Sequence, residues 1–597
     1  MPDAAKIIEE VYIDPIKSVL FIDDKFPTYA DSINNSDTED VVLDEVTLRH
    51  QDEEQYEDLF ADETKNTATE KDDPILPDVR RALNLTKSCR ERGYIFDVEN
   101  SAETALKYEE ESSFINKADL VILDFILDDH ADSSQDALSV IKRLNETKRF
   151  NLVVVYTNND PIEVAHEIAY SLRGRGEPAS LSKKARRRIG EFPDEYLSAS
   201  LNDYLSGAIF SPLDWYNTMG LKGQPNKYDI INLFENHLNK RFPHIPAQPN
   251  SLLRCCGSSE NKSPWICGNA VFIAVVKKQD TEETITSLLN IMTECLASYV
   301  PSPISMLIHK SINTLKEGGT LLLEKAFGDE ETRAALLYRA LKSDFPATED
   351  GRKTELSLAD LMLKAFSILS SGVQYETVEF GKKLLDDCKN KCKDGNYYTL
   401  ALEMEKTSAN IRNERLFLNI NAFLCSQPVD TGHITTGTVF RRTDATSQVW
   451  ICVTPACDMV PARSRSGYRG KIAPANYFEA LKVEKVSAPE SVLQFAEQAN
   501  HMFLKIAGEI QVFSVCSEPN KEPKPYVFYT QNGGYVGEDN SMALHSIEMD
   551  EPGALTIKEH QFEIIGQLRP EYASRYLAIT GDWNSRIGVD FINYPER

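Results

Sequence analysis

Ser18–Asp24, SVLFIDD, decides the fold: an apolar run that closes on two adjacent carboxylates, echoed a hundred residues later by ADLVILDFIL around Asp124. A run of five or six apolar residues ending in acid fits a strand buried on both faces of a parallel sheet, with its carboxyl end offering charge at the rim. That rim is where open α/β sheets bind ligands.

Working outward, the same logic repeats. Val79–Arg92 has helical spacing, Tyr94–Val98 reads as a short strand, Ala102–Tyr108 as a helix and Leu120–Asp124 as a strand. Ser133–Leu144 is an amphipathic helix and Leu152–Tyr156 a further strand, followed by Thr157. Strands alternating with helices predict a doubly wound parallel sheet. In such a sheet Asp23, Asp24, Asp124 and Thr157 share the carboxyl edge. Three carboxylates converging there repel one another unless a hard cation neutralises them, which points to Mg²⁺ held by Asp23, Asp24 and Asp124. A carboxylate beside such an ion can take up a phosphoryl group, with Asp124 as nucleophile and Thr157 donating its hydroxyl to a phosphoryl oxygen.

An acidic pair after the first strand, an acid after the third and a hydroxyl after the fourth resemble the receiver domain of response regulators, over roughly residues 15–170 and extending towards 245. The resemblance implies Asp23 and Asp24 as the acidic pair, Asp124 as phosphoacceptor, Thr157 as switch hydroxyl, and a histidine-kinase-like partner in two-component signalling. It also implies a lysine at the end of the last strand, and no strand ends in Lys-Pro. Lys183 and Lys184 lie at about the right distance, inside the helix-like run LSKKARRR. Alternatively Gly207–Phe210, GAIF, is a displaced last strand, with Ser211 where the lysine should stand.

At 597 residues the chain is long enough for several domains. The expected division is a receiver-like α/β domain over 1–245, a helical domain over 246–428 and a β-rich α+β domain over 429–597. No apolar run approaches a membrane span, the longest being AVFIAVV at Ala270–Val276, and a cytoplasmic protein is expected. Eleven cysteines, an odd number scattered along the chain, read as reduced thiols. Neither Cys255, Cys256 and Cys267 nor Cys388 and Cys392 has the paired spacing of a zinc ribbon or finger.

The net charge of −27 is uneven. Residues 31–74 hold sixteen acids against Arg49, Lys65 and Lys71 and separate the first strand from the first helix, which fits a solvated insertion or an acidic docking segment. Residues 173–188 carry seven cations against Glu177. No aromatic residue interleaves with them, and the acidic field of the whole opposes nucleic acid. This basic segment is expected to pair with the acidic insertion or with an acidic partner.

Beyond the break FPHIPAQP, helical spacing runs through Thr281–Tyr299, Glu330–Lys342, Leu356–Leu369, Tyr375–Lys391 and Tyr398–Leu424. From Val429 the pattern turns to period two, as in TGTVFRRT and QVWICVTPACD, predicting a small antiparallel sheet or barrel. Cys457, with Asp458 beside it and His433 and Cys452 nearby in sequence, is a candidate nucleophile or a packed thiol. The reading that unites these features is a multidomain signalling protein of a bacterial regulatory or defence system, whose helical and β-rich parts bind a protein partner or effector. Its rivals are a non-catalytic scaffold with a degenerate receiver and an enzyme centred on Cys457.

Overall fold

The computed structural model describes the chain apart from residues 1, 27–75, 107–114, 116, 128–133, 176–182, 190–193, 207–209, 221–222, 248–251, 279–283, 343–351, 406–410, 430–431, 445–446, 460–466, 474, 499, 516–524, 532, 552 and 585–597. It divides into two compact units, residues 1–319 with 373–395 and residues 320–372 with 396–597. The acidic stretch 31–74 lies outside the described residues.

The first unit is built on a seven-stranded sheet: β1 (Ser18–Ile22), β2 (Ile95–Glu99), β3 (Leu120–Asp124), β4 (Asn151–Thr157), β5 (Leu253–Ser258), β6 (Pro264–Gly268) and β7 (Val271–Lys277). The strand order is β2-β1-β3-β4-β7-β6-β5. The first five in that order are mutually parallel, and β6 and β5 add an antiparallel edge. Alternation within the buried strands feeds two cores. Leu20, Ile22, Val121, Leu123, Val153, Val155, Ile273 and Val275 face one side. Phe21, Ile122, Val154, Tyr156, Phe272 and Val276 face the other. Helices Ser134–Asn145, Pro161–Arg173 and Lys227–Arg241 cover the first face, while Leu76–Glu91 and Ile285–Tyr299 cover the second. Each therefore hides an apolar stripe that the sheet demands.

The fifth parallel strand does not follow β4 closely. Helices from Pro161 to Arg241 and the β5–β6 hairpin intervene before Val271, where Asn151 pairs with Val271 and Thr157 with Lys277. This corrects the domain division at 245, because residues 253–277 belong to the receiver-like sheet. The lysine expectation is also corrected. Lys183 and Lys184 are exposed on a helix, Lys183–Ile189, and Ser211 is the residue before another, Pro212–Thr218. Of GAIF, residues 207–209 lie outside the described residues and Phe210 is in no strand. The run AVFIAVV, conspicuous only for its apolarity, supplies β7 from Val271 on.

The central region is helical. Leu356–Leu369 and Tyr375–Lys391 merge into one 40-residue helix, Arg352–Lys391, because an interior glycine such as Gly372 costs only about 1 kcal/mol and does not stop a helix. Tyr398–Leu424 is two helices, Tyr397–Met404 and Asn413–Cys425.

The second unit carries a closed six-stranded antiparallel barrel. Its strands are β9 (Thr438–Arg442), β10 (Val449–Cys452), β11 (Asn476–Lys485), β14 (Pro525–Thr530), β15 (Ser541–Glu551) and β16 (Ala554–Leu568). The ring β10-β9-β16-β15-β14-β11 shuts where Val449 pairs with Val483. Closure removes the exposed edges that an open sheet would present. Phe440, Trp450, Phe478, Phe528 and Phe562 fill its interior. β8 (Ser426–Gln427) pairs with the end of β16, β12 (His501–Ile506) and β13 (Glu509–Ser514) extend β11 beyond the ring, and helix Pro570–Asn584 follows β16.

Candidate functional site

β1 and β3 are paired in parallel, so the residues that follow them emerge side by side at the carboxyl edge. Asp23 and Asp24 follow β1 and Asp124 ends β3. Their carboxylates offer three oxygens that all lie within 4.8 Å of one another. Among the described residues this is the sole grouping of three or more acids, histidines or cysteines close enough to share a metal ion.

The neighbours fix these acids. Asp23 accepts from the Lys25 amide at 3.0 Å and Asp124 from the Ile126 amide at 3.3 Å, each a short turn that aims the carboxylate over its strand end. Asp23 is 2 % and Asp124 4 % exposed. Asp24 Oδ1 is buried and accepts no hydrogen bond, a costly state for a carboxylate oxygen. Burial first, and then repulsion from Asp23, pushes the Asp24 carboxyl above its ordinary range. Burial does the same to Asp124, against the pull of the Lys278 ammonium.

Lys278, the residue after β7, enters this pocket. Its Nζ donates to Asp124 Oδ2 at 2.5 Å and lies 3.7 Å from Asp23 Oδ2. Its amide donates to the Thr157 carbonyl at 2.8 Å, so the β4–β7 pairing carries the ammonium to the acids. Sequence reasoning missed this residue. The signal was present, since AVFIAVVKK is a buried-strand run closing on charge, like SVLFIDD, but it lies far beyond the distance from Thr157 at which the resemblance implies a lysine.

Thr157 ends β4, next to β3, where Asp124 pairs with Tyr156. It is fully buried, and its Oγ1 accepts from the Asn159 amide at 3.0 Å, which leaves the hydroxyl proton to be donated elsewhere. The four residues expected at the carboxyl edge therefore follow β1 or end β3 and β4, and a fifth, Lys278, follows β7.

A hard divalent cation fits this donor set. Three carboxylates provide oxygen ligands, one of them an orphaned buried oxygen, and the lone ammonium leaves the four-residue charge set negative.

Cys457, Cys452 and His433 belong to the second unit. Cys457 is exposed in the short helix Ala456–Met459, while Cys452 ends β10, where burial pushes its thiol up to about 12. His433 forms an isolated bridge with Tyr535, and burial holds its imidazole below the usual value. Of the basic segment, Arg173 pairs with Glu235 at 3.2 Å and Arg188 with Asp229 at 2.8 Å. Arg175 donates to the carbonyls of Pro243 and Ile245. Lys183, Lys184, Arg186 and Arg187 are exposed.

Comparison with known families adds one finding: the response receiver domain family matches residues 15–195. The match spans β1 to β4 with their acids and Thr157 and ends well before β7. No curated protein and no solved structure shows a significant match to the chain. Among the described residues no helix is long and apolar enough to cross a membrane.

Proposed function

We propose that the first unit is a phosphoacceptor module of a multidomain signalling protein, in which Asp124 receives a phosphoryl group from a histidine-kinase-like partner. Attack by a carboxylate oxygen of Asp124 on phosphorus forms an acyl phosphate as the phosphorus–nitrogen bond of a donor phosphohistidine breaks, and the imidazole nitrogen leaves with the electron pair. Asp23, Asp24 and Asp124 would hold Mg²⁺, which supplies positive charge to offset that of the incoming phosphate.

The chain's own residues do the rest. Lys278, hydrogen-bonded to Asp124 Oδ2, exchanges that carboxylate oxygen for a phosphoryl oxygen once the acyl phosphate forms. Thr157 turns its hydroxyl proton to another phosphoryl oxygen, and the resulting movement at the end of β4 is the change passed on to the helical and barrel parts, which bind a partner or effector.

The Lys278 contact is the observation that carries this reading. An ammonium brought from a strand more than a hundred residues after β4 onto the phosphoacceptor candidate suits an anion that comes and goes. Incubation with acetyl phosphate and Mg²⁺, read by intact mass, tests it. One phosphoryl group is expected on the wild type and none on Asp124→Asn. A wild type that stays unmodified, or an Asp124→Asn variant that is still modified, refutes it and leaves a degenerate receiver acting as a scaffold.

A further inference from the structure

We propose that a cleft at the opposite, amino-terminal edge of the same sheet is a binding site for a nucleoside phosphate. Lys17, Asp119, Phe150 and Ala270 directly precede β1, β3, β4 and β7, and all four line it. The cleft measures about 990 Å³, at the upper end of the range that holds small organic ligands.

Its charge is opposite to that of the chain. Five cations line it, Lys17, Lys148, Arg149, Arg254 and Lys316, against the carboxylates Asp119, Glu146 and Glu317. Asp119 is already spent: its Oδ2 accepts from the Lys17 and Ser18 amides, and its Oδ1 pairs with the Arg149 guanidinium. That leaves four cations, none ion-paired with a described residue, facing two carboxylates. In a protein of net charge −27, a locally positive cleft collects anions that the rest of the surface repels.

The cleft also has a ring-lined wall. Tyr12, Phe150 and His309 pack with centroids 5.3–5.9 Å apart. Phe150 and His309 are only half-buried, so part of their faces is open to an occupant. Burial, and after it Lys316, holds His309 below its ordinary value, so this wall is uncharged at neutral pH. Stacking surface next to cations that no described carboxylate pairs matches a ligand with a flat base at one end and phosphate at the other. Inorganic phosphate would leave the ring wall unused, and an uncharged nucleoside would leave the cations unused.

The test uses the full-length protein with EDTA present, so that no metal-assisted phosphate binding at the carboxyl edge contributes. Fluorescently labelled ADP and GDP are titrated, with adenosine and inorganic phosphate as competitors, against wild type, Arg254→Glu and Lys316→Glu. Both variants change exposed side chains, and thermal melts verify that they remain folded. Saturable binding of at least one nucleotide is expected, weakened about tenfold by each charge reversal, or about 1.4 kcal/mol, with both competitors at least about tenfold weaker than the unlabelled nucleotide. Absence of saturable binding overturns the proposal, as does binding undiminished in both folded variants or inorganic phosphate competing as well as the nucleotide.

Discussion

Replacing Lys278 with methionine removes the ammonium but keeps a flexible apolar stem of similar length. In the wild type the Nζ lies 2.5 Å from Asp124 Oδ2 and 3.7 Å from Asp23 Oδ2, and all three side chains are at most 5 % exposed. At an effective dielectric constant of about 20, each attraction amounts to roughly 4–7 kcal/mol before the cost of desolvating the ammonium is deducted. The measured loss on breaking a buried pair, with that cost included, is about 3–5 kcal/mol, because the remaining carboxylates are left buried and facing one another. The fold around β1, β3 and β7 should therefore lose about that much in EDTA. A divalent ion replaces the missing charge, so Mg²⁺ should stabilise the variant more than the wild type, for which saturation at 100 times the dissociation constant gives about 2.7 kcal/mol. Native-state hydrogen exchange, read on peptides covering 18–22, 120–124 and 271–277, isolates this region from the rest of a multidomain chain that need not unfold in one step. Lys183→Met and Lys184→Met, at exposed helix positions, serve as controls and should stay within about 0.5 kcal/mol of wild type. A Lys278→Met loss below about 0.5 kcal/mol in EDTA, or a loss of full size that Mg²⁺ does not reduce, would mean that the ammonium does not neutralise these carboxylates.

Three other outcomes follow from the same geometry. Asp24 and Asp124 have folded-state values raised by burial, so in the metal-free protein they favour folding at low pH and cost stability as pH rises from about 4 through those raised values. Mg²⁺ competes with these protons, so its affinity by calorimetry should weaken as pH falls from 7.5 to 5, with protons released on binding, and a pH-independent affinity would contradict the assignment. His166 is held down to about 4, chiefly by burial and then by Arg241, with Nε2 bonded to Asn202 Oδ1 at 3.1 Å. A depressed value contributes stability above about pH 6.5 that is lost as pH falls towards 4, up to about 3 kcal/mol; an NMR titration placing His166 above pH 6 would disprove it. Phe440→Ala, at a fully buried position ringed by Trp450, Phe478, Phe528 and Phe562, should cost the barrel about 3–5 kcal/mol in exchange protection of β9 and β16, and a loss under about 1 kcal/mol would mean that the interior packs otherwise.

What the sequence made legible was local. SVLFIDD and LVILD each carry strand, burial and terminal acid within a few residues, so Asp23, Asp24 and Asp124 could be brought together by assuming only that the sheet is parallel. Lys278 could not, because its neighbour in space is chosen by pairing of β7 with β4 across a long insertion. Loop-closure entropy rises only slowly with length, so more than a hundred intervening residues hardly penalise that pairing, while nothing within AVFIAVVKK names its partner. The barrel shows the same divide. The period-two pattern around TGTVFRRT and QVWICVTPACD announced strands, whereas closure rests on the β10–β11 contact between segments some thirty residues apart. In the long helix, the helical spacing broke off between Leu369 and Tyr375, where Gly372 lies, but the packing of Val373, Phe380 and Leu384 beyond it holds the helix through the gap.

The phosphoacceptor role proposed for the first unit depends on Asp124 as the residue that accepts the phosphoryl group. Treating the acetyl phosphate-labelled protein with borohydride reduces an aspartyl phosphate to homoserine, which peptide mass spectrometry then locates. Homoserine at position 124 alone, dependent on Mg²⁺ and much diminished in Lys278→Met, is the predicted result; homoserine at another aspartate, or none in a protein that carries Mg²⁺, would contradict it.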